Sequence, residues 1–246
     1  MLRKDFSTKP AIKRATLHLI GVGYHEVFLN GGKISSQVLA PGITDYSQRL
    51  PIVTHDVTSN ILPGANAIGI HLGNGRYYAP RNRVPATTIS SGWPVAKARL
   101  IIDYQDGTQS SVVTDSSWLA TDQGPIRANN DYDGEIYDAR REQAGWASPG
   151  FDSQSWKPVE ILPGPTGKIP TVPIPPIRVT ATLSAVSLKE IRPGVWIYDF
   201  GQNIAGWCRL KVNGPAGTTV RLRHAETLNP DGSLKDIVLR SAQARD

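Results

Sequence analysis

Apolar and polar residues alternate over short stretches of this chain, and turn residues separate the stretches. Within residues 15–20, Leu17 and Leu19 lie on one face of the pattern and polar residues lie on the other. A period of two residues is typical of a β-strand with one buried face. No stretch shows the longer period of an amphipathic helix with capping residues at both ends. The pattern therefore predicts an all-β protein.

Turn residues predict hairpins in the first half of the chain. The predicted strand 24–29 ends at Asn30 and Gly31, a pair that tolerates the positive φ angles of a type I′ turn. Residues 99–104 and 110–114 form a second predicted hairpin around the sequence QDGT.

Alternation returns near the end of the chain. Residues 207–212 and 218–224 are predicted strands on either side of a turn rich in glycine and proline. Cys208 is expected to be a small core residue of the first of these strands. The basic residues at alternate positions are expected to form one outward face, solvated or covered by another domain: Arg209, Lys211, Arg221 and Arg223.

A proline-rich stretch separates the two halves. Residues 161–177 contain six prolines, and proline fixes φ and lacks the N–H group that an interior strand needs. We interpret this stretch as an extended surface linker. It divides the chain into a first module, residues 1–160, and a second module, residues 178–246.

Composition and charge narrow the functional classes. Apolar residues make up 39% of the chain and charged residues 20%, as in ordinary folded proteins. The formal net charge is +6, but the basic residues are scattered, so no nucleic-acid partner is expected. No apolar stretch has the length of a membrane span and no signal peptide is visible, so we expect no membrane partner and favour a cytoplasmic location.

Cysteine and histidine suggest no reactive centre. Cys208 is the single cysteine of the sequence, so an intrachain disulfide is impossible. The five histidines are far apart, and their spacings are not typical of a zinc site or of a Ser/His/Asp triad. We expect His18 and His25 to occupy outward strand positions.

The strongest polar cluster is acidic and lies at residues 131–138. Asp133 and Glu135 would share a face of a strand, about 7 Å apart, which falls within the carboxyl spacing of inverting glycosidases. A structural role is favoured, because Asp133 and Gly134 are a turn pair and two arginines follow. Turn oxygens of this kind also suit calcium. We therefore assign no catalytic residue and treat Asp133 and Glu135 as candidate calcium ligands.

A glycine-rich turn at residues 73–78 is the second polar cluster. Prolines follow it in place of a helix, so a phosphate-binding role is not expected. Asn74 and Arg76 are candidate hydrogen-bonding groups for sugar hydroxyls, and Tyr77 and Tyr78 offer apolar faces to a sugar ring. A purely structural loop is the alternative.

Several motifs follow one another along the chain. Those of the first half are LRKDF (residues 2–6), GYHEVFLNG (23–31), LAPGITDY (39–46), HDVT (55–58), GNGRYY (73–78) and YDGEIYDAR (132–140). Those of the second half are PPIR (175–178), YDFGQN (198–203), GW (206–207) and RHAE (223–226). In this order the motifs resemble those of bacterial α-L-rhamnosidases. The first half resembles their N-terminal sandwich module, and the second half resembles the sandwich that follows it.

The resemblance implies a fold and a place for the chemistry. It implies a galactose-binding-like, jelly-roll β-sandwich followed by a second β-sandwich, which we expect to be incomplete. In this family the general acid and base belong to an (α/α)₆ barrel nearer the C-terminus, which we expect to be absent from this chain. Some family members bind L-rhamnose through calcium in a module of this kind. That implies Asp45 and Asn74 as oxygen donors, with an Asx-turn at Asp45 as the alternative.

These inferences give one functional hypothesis and two alternatives. The hypothesis is a non-catalytic accessory portion of an α-L-rhamnosidase, which supports the missing catalytic domain and holds a glycan that contains L-rhamnose. The alternatives are a spacer without a ligand and an independent lectin-like module. Because few strands are visible after the linker, we also expect residues beyond 179 to exchange amide hydrogens faster than residues 12–158, and the chain to associate.

Overall fold

The computed structural model describes residues 1–79, 92–169 and 174–239. Two predicted regions are therefore covered only in part. Residues 170–173 of the predicted linker and residues 240–246 of the predicted second module lie outside the described residues.

The described residues form short strands joined by turns, with three 3₁₀ helices as their helical elements. The strands of the first module are β1 Leu2–Thr8, β2 Ile12–Val22, β3 Tyr24–Leu29, β4 Gly32–Lys33, β5 Gln37–Val38, β6 Ile52–Asp56, β7 Gly64–Gly73, β8 Val95–Tyr104, β9 Gln109–Val113, β10 Leu119–Ala120, β11 Ile126–Asn130, β12 Gly134–Tyr137 and β13 Lys157–Pro158. After them come β14 Ile177–Arg178, β15 Ser187–Arg192 and β16 Val195–Asp199. The 3₁₀ helices are Thr58–Asn60, Ala139–Arg141 and Asp236–Leu239.

Most strands of the first module belong to two antiparallel sheets. The larger sheet has the strand order β13-β10-β1-β7-β3-β4, and the smaller has the order β6-β2-β8-β9. Three further pairs stand apart from these sheets: β11 with β12, β5 with β14, and β15 with β16.

The two sheets face each other across one apolar layer. Leu17 and Leu19 of β2 and Leu100 of β8 come from the smaller sheet, and Ile68 and Ile70 of β7 come from the larger. Each of these side chains is at most 1% exposed. The alternation of β2 thus buries its leucines as the sequence predicts. The predicted all-β, sandwich-type fold is confirmed.

The hairpin chemistry of the first half is also confirmed. Asn30 and Gly31 have φ angles of 51° and 83° and turn the chain from β3 into β4. The second hairpin joins β8 to β9 through Gly107, whose φ is 80°. Both turns use residues that tolerate the left-handed region, which is why their positions are visible in the sequence.

Arg3 is a buried charge that ties the first strand to a distant segment. Its side chain is 1% exposed and makes two bonds to the Asp5 carboxylate, at 2.7 and 2.9 Å. It also donates to the carbonyl oxygens of Trp146 and Ser148, at 2.9 and 3.1 Å, and to Oγ of Ser153 at 3.1 Å. These contacts fix the chain between β12 and β13 against β1, because a buried guanidinium needs partners for its N–H groups.

The described part of the predicted linker is extended and is fastened to the first module. The N–H of Lys168 donates to the oxygen of Gln48 at 2.9 Å, and the N–H of Leu50 donates to the oxygen of Lys168 at 2.8 Å. Farther along, β14 pairs with β5. Main-chain hydrogen bonds therefore hold the linker along the loop that follows β5.

The second module differs from the sequence prediction. Residues 207–212 and 218–224 form no strand, so the two strands predicted there are wrong. Cys208 is exposed, which also overturns its prediction as a core residue. Alternation shows which face of a segment could be buried, but burial requires an opposing sheet. No side chain of defined burial within residues 178–239 is buried. The faster hydrogen exchange expected for this region stays a prediction.

His25 is a second correction. The sequence analysis placed its side chain outward, but it is only 5% exposed. It lies on the same face of β3 as Val27 and Leu29, at alternate positions, and these residues point into the apolar layer. The expected outward position is therefore wrong, while His18 does lie half-exposed on β2.

The helices of the described residues are too short to span a lipid bilayer.

Replacing Arg3 with alanine is expected to lower the free energy of unfolding by about 2–4 kcal/mol, because two carbonyls and a carboxylate lose a buried donor. Replacing the exposed Arg99 with alanine is the matched control and should change it by less than about 0.5 kcal/mol. Denaturant unfolding followed by tryptophan fluorescence measures both. Equal losses in the two variants would contradict a structural role for Arg3.

Candidate functional site

Three clusters that are separate in the sequence meet at one end of the first sandwich. The ring centroids of Tyr46 and Tyr77 lie 5.0 Å apart, edge to face, which joins the loop after β5 to the glycine-rich turn. The guanidinium of Arg76 lies 5.3 Å from the centre of the Tyr132 ring, which joins the same turn to the acidic hairpin. We call this group of loops, residues 43–50, 74–79 and 129–135, the loop cluster.

The glycine-rich turn leaves the end of β7 and is fixed to β11. The main-chain N–H of Asn74 donates to Oδ1 of Asn129 at 2.9 Å, and the Asn74 side-chain amide donates to the main-chain oxygen of Asn129 at 2.8 Å. The N–H of Tyr78 then donates to the oxygen of Asn74 at 3.2 Å, which closes the turn. Asn74 thus has a defined structural role in this turn.

Gly75 allows the turn to approach β3 closely. Its φ is +51°, and a Cβ at this position would lie 3.1 Å from Cδ2 of the Tyr24 ring. Both the left-handed backbone and the short distance disfavour a larger residue. The glycine therefore permits Tyr24 to pack beneath the turn.

The acidic hairpin is held by its own side chains. Oδ1 of Asn130 accepts hydrogen bonds from the N–H groups of Tyr132 and Asp133, at 2.8 and 2.7 Å. Gly134 follows with a φ of 84°. The predicted turn at Asp133 and Gly134 is confirmed. Asp133 lies in that turn and Glu135 in β12, so the two carboxylates are not neighbours on one strand face.

Arg76 joins the turn to the hairpin by two kinds of contact. Its guanidinium stacks over the Tyr132 ring, and Nη1 donates to the Tyr132 hydroxyl oxygen. A guanidinium has further N–H groups beyond the one used here. Arg76 is half-buried, so it can bridge the hairpin and a bound molecule.

Aromatic side chains line the cluster at two depths. Tyr46 and Tyr77 are buried, at 9% and 8% exposure, and support the loops from below. Tyr78 and Trp93 pack on each other with ring centroids 4.3 Å apart and an angle of 31°. Trp93 is 67% exposed. An exposed indole supported by a second ring is a suitable platform for the apolar face of a ligand.

One acidic group has an altered environment. Neighbouring atoms remove water from the Asp131 carboxylate and raise its pKa, although a hydrogen bond from Tyr24 and the charge of Arg76 act in the opposite direction. Burial raises the pKa of Tyr24, and the adjacent Asp131 raises it further. Tyr24 therefore keeps its proton and donates a hydrogen bond to the Asp131 carboxylate.

Asp45 forms an Asx-turn. Its Oδ1 accepts from the N–H and the hydroxyl of Ser47, at 3.0 and 2.6 Å, and its Oδ2 accepts from the Gln48 side chain at 3.0 Å. These bonds, led by that of the Ser47 hydroxyl, lower the pKa of Asp45. The contacts are those of the turn alternative.

The donor set offers little to a calcium ion. No group of three or more histidine, cysteine or acidic residues suited to a metal exists in the described parts of the chain. Asp138, the last acid of the cluster, is bound by Arg140, which lowers its pKa to about 2. Calcium at Asp45, Asn74, Asp133 and Glu135 stays a prediction.

Sequence reasoning found part of this cluster and missed the rest. It singled out the turn and the hairpin from their glycines, aromatics and acids. It missed Tyr24, Asp131, Tyr132 and Trp93 as partners, because each contact joins segments far apart in the sequence. Trp93 could have been found from its place between Gly92 and Pro94, just before the predicted strand 99–104.

Comparison with known proteins places the chain among α-L-rhamnosidases. Residues 10–181 match the α-L-rhamnosidase N-terminal domain family, and residues 189–246 match the bacterial α-L-rhamnosidase concanavalin-like domain family. The α-L-rhamnosidase of Streptomyces avermitilis is 41% identical over 239 residues, which is 96% of this chain and 23% of that protein. One from Formosa agariphila is 35% identical over 249 residues, which is 100% of this chain and 26% of that protein.

Solved structures agree. An α-L-rhamnosidase from Dictyoglumus thermophilum has a TM-score of 0.93 at 39% identity, and covers 100% of this chain with 27% of its own. The Streptomyces avermitilis enzyme complexed with L-rhamnose has a TM-score of 0.90 at 40% identity, with coverages of 100% and 24%. The chain spans about a quarter of the length of these relatives. By its sequence and its fold, this chain belongs to the α-L-rhamnosidase family and corresponds to the N-terminal and concanavalin-like domains of the longer members.

Proposed function

We propose that the chain is a non-catalytic accessory portion of an α-L-rhamnosidase, and that its first sandwich holds a glycan that contains L-rhamnose at the loop cluster. The glycine-rich turn carries this proposal, because it presents Arg76, which contacts Tyr132, and Tyr78, which packs on the exposed Trp93. It combines hydrogen-bond donors with an exposed aromatic face.

The chemistry of the cluster suits a deoxy sugar. C6 of L-rhamnose is a methyl group, so this sugar has more apolar surface than a hexose that carries a hydroxyl at C6. That surface can pack on the indole of Trp93, which Tyr78 supports. Arg76 supplies N–H groups, and Asp131 supplies carboxylate oxygens, for the ring hydroxyls. Asn74 and Tyr77 hold the turn in position.

The relatives support the choice of sugar. The structure of the Streptomyces avermitilis α-L-rhamnosidase is complexed with L-rhamnose. That enzyme matches 100% of this chain at 40% identity. In this chain, Arg76 and Trp93 present the two kinds of contact that a deoxy sugar needs.

The proposed absence of catalysis rests on the acids of the cluster. Asp138 is held by Arg140 and Arg141, and its pKa is low, so it is a poor general acid. Asp131 accepts from Tyr24, and Asp133 is part of the Asn130 turn. The carboxylates of Asp131 and Asp138 thus have structural partners, whereas a glycosidase needs a protonated acid and an ionised partner across an open cleft.

A spacer without a ligand and an independent lectin-like module remain alternatives. Binding of L-rhamnose separates the spacer from the other two functions. The linker, which is hydrogen-bonded along the first module, favours an accessory portion of a larger protein over an independent module.

L-rhamnose is expected to bind with a Kd on the order of 0.1–1 mM, because a small sugar in an open loop site buries few contacts. Trp93→Ala should weaken the binding about tenfold through the loss of the stacking face. Trp196→Ala is the matched control, since Trp196 is also exposed but lies on β16, and it should bind as the parent chain does. Isothermal calorimetry at protein concentrations near the Kd measures all three.

Absence of heat with the parent chain would favour the spacer. Equal weakening by the two tryptophan variants would contradict the site while leaving sugar binding intact.

L-mannose, which carries a hydroxyl at C6, should bind more weakly than L-rhamnose.

If L-rhamnose binds through Arg76 and Trp93 alone, removal of calcium leaves this binding unchanged, because these contacts need no cation and the Asp45 carboxylate is already used by its turn. The same titration in calcium and in chelator tests this. The calcium hypothesis requires the opposite result, namely a loss of binding in chelator and in an Asp45→Ala variant. That outcome would assign Asp45 to the sugar site.

The chain is expected not to hydrolyse aryl α-L-rhamnosides, so its rate should equal that of buffer. The reason is that Tyr24 and Arg140 engage the carboxylates of Asp131 and Asp138, and that the low pKa of Asp138 makes it a poor general acid. Release of the aryl group followed by absorbance is the measurement. Hydrolysis that disappears in a Glu135→Gln variant would place a catalytic acid in β12 and overturn the proposal.

A further inference from the structure

His25 is a buried polar side chain without a partner. Its imidazole is 5% exposed, and neither Nδ1 nor Nε2 has a hydrogen bond. Across the described parts of the chain, no other buried side-chain nitrogen or oxygen lacks one. Burying such a group costs about 1–3 kcal/mol, so its position at the edge of the apolar layer needs an explanation.

The imidazole fills a space made for it between the two sheets. Gly21 of β2 lies directly opposite, and a Cβ there would overlap Nδ1 of His25. A small recess adjoins the ring and is lined by residues that include Lys33, Gln37 and His55. It has the size needed for roughly one water molecule.

Residues 33–40, which we call the covering segment, line one side of this recess. The N–H of His25 donates to the oxygen of Ala40 at 2.7 Å, so the segment is tied to β3 next to the imidazole. The same segment contains β5, which pairs with β14 at the end of the linker. The covering segment beside His25 thus also provides β5, the strand with which the chain leading into the second module pairs.

The charged groups around the ring do not favour an imidazolium. Glu26 of β3 forms an ion pair with Lys33 of β4, so its carboxylate is already paired. His55 of β6 adds positive charge when it is protonated. The residues that face the ring from β2 and β7 are glycine and leucine, and β5 contributes a neutral glutamine.

We propose that His25 is an acid-sensitive latch: protonation of its imidazole opens the covering segment and thereby releases β14 from the first module. The closed state holds a neutral ring in the apolar layer. The open state exposes the ring to water, where it can take up a proton. Because β5 belongs to the covering segment, the opening breaks its pairing with β14.

Proton linkage sets the size of the effect. Burial, together with the charge of His55, lowers the pKa of His25 from 6.5 to about 4 in the closed state. The closed state is therefore fully favoured above pH 6.5 and loses stability as the pH falls toward 4. The pKa of His25 is 6.5 when the ring is open to water and about 4 when it is closed. Uptake of one proton therefore raises the equilibrium constant for opening about 20-fold between pH 7 and pH 5.

Amide hydrogen exchange of the full chain at pH 5, 6 and 7 tests this proposal. After correction for intrinsic exchange rates, peptides that cover residues 33–41 and 174–180 should exchange about 20-fold faster at pH 5 than at pH 7. The β8–β9 hairpin, residues 95–113, is the internal reference and should not change. An equal rise in all three regions would mean global unfolding and would overturn the proposal.

His25→Gln keeps a polar side chain of similar reach that cannot become cationic, and it should abolish the rise. His18→Gln is the matched control on the exposed face of β2, and it should retain the rise. A rise that persists in His25→Gln would overturn the proposal.

If His25→Gln fails to fold, the imidazole Cε1–H resonance of the parent chain gives the answer. A titration midpoint for His25 well below 6 supports the latch. A midpoint near 6.5 would show an open, hydrated ring and overturn the proposal.

Discussion

The first sandwich depends on a single apolar layer, which closes only when the strands of both sheets keep their alternation in register. Leu17 and Leu19 meet Ile68 and Ile70 across this layer. A slip of one residue would turn the leucines to solvent and polar neighbours inward. Each fully buried aliphatic side chain contributes about 1.5–3 kcal/mol, so the register is strongly specified. The register also fixes where each strand ends, and hence where its loop begins.

The apolar layer fixes the position of the loop cluster, and polar contacts fix its shape. Asn74 holds the glycine-rich turn against β11 through two hydrogen bonds, and Arg76 clamps the acidic hairpin through the Tyr132 ring. Exposed aromatic surface then remains at Trp93. A rigid sandwich with variable polar loops at one end is a general way to carry a binding site. The fold positions such a site without determining its ligand.

The same layer makes burial of His25 unfavourable, because the imidazole has no hydrogen-bond partner there. A polar ring in an apolar layer is accommodated because Gly21 leaves space for it, and the covering segment lines the recess beside it. That segment also pairs with the strand at the end of the linker. Among the described residues, the buried side chain without a hydrogen-bond partner thus lies beside the connection to the second module. Residues 178–239 have no such apolar layer among their described side chains and contain one hairpin.

The sequence by itself determined the strands at residues 15–20, 24–29, 99–104 and 110–114, two hairpin turns and the proline-rich linker, because alternation and turn chemistry are local properties of the chain. It also picked out the glycine-rich turn and the acidic hairpin as polar clusters. Only the tertiary structure decided that these clusters meet Tyr46 and Trp93 at one end of the sandwich, and that Arg3 and His25 are buried. It also decided that residues 207–224 form no strand. Each of these outcomes depends on which distant segments pack together, and a local pattern shows the face a strand can bury without showing the partner that buries it.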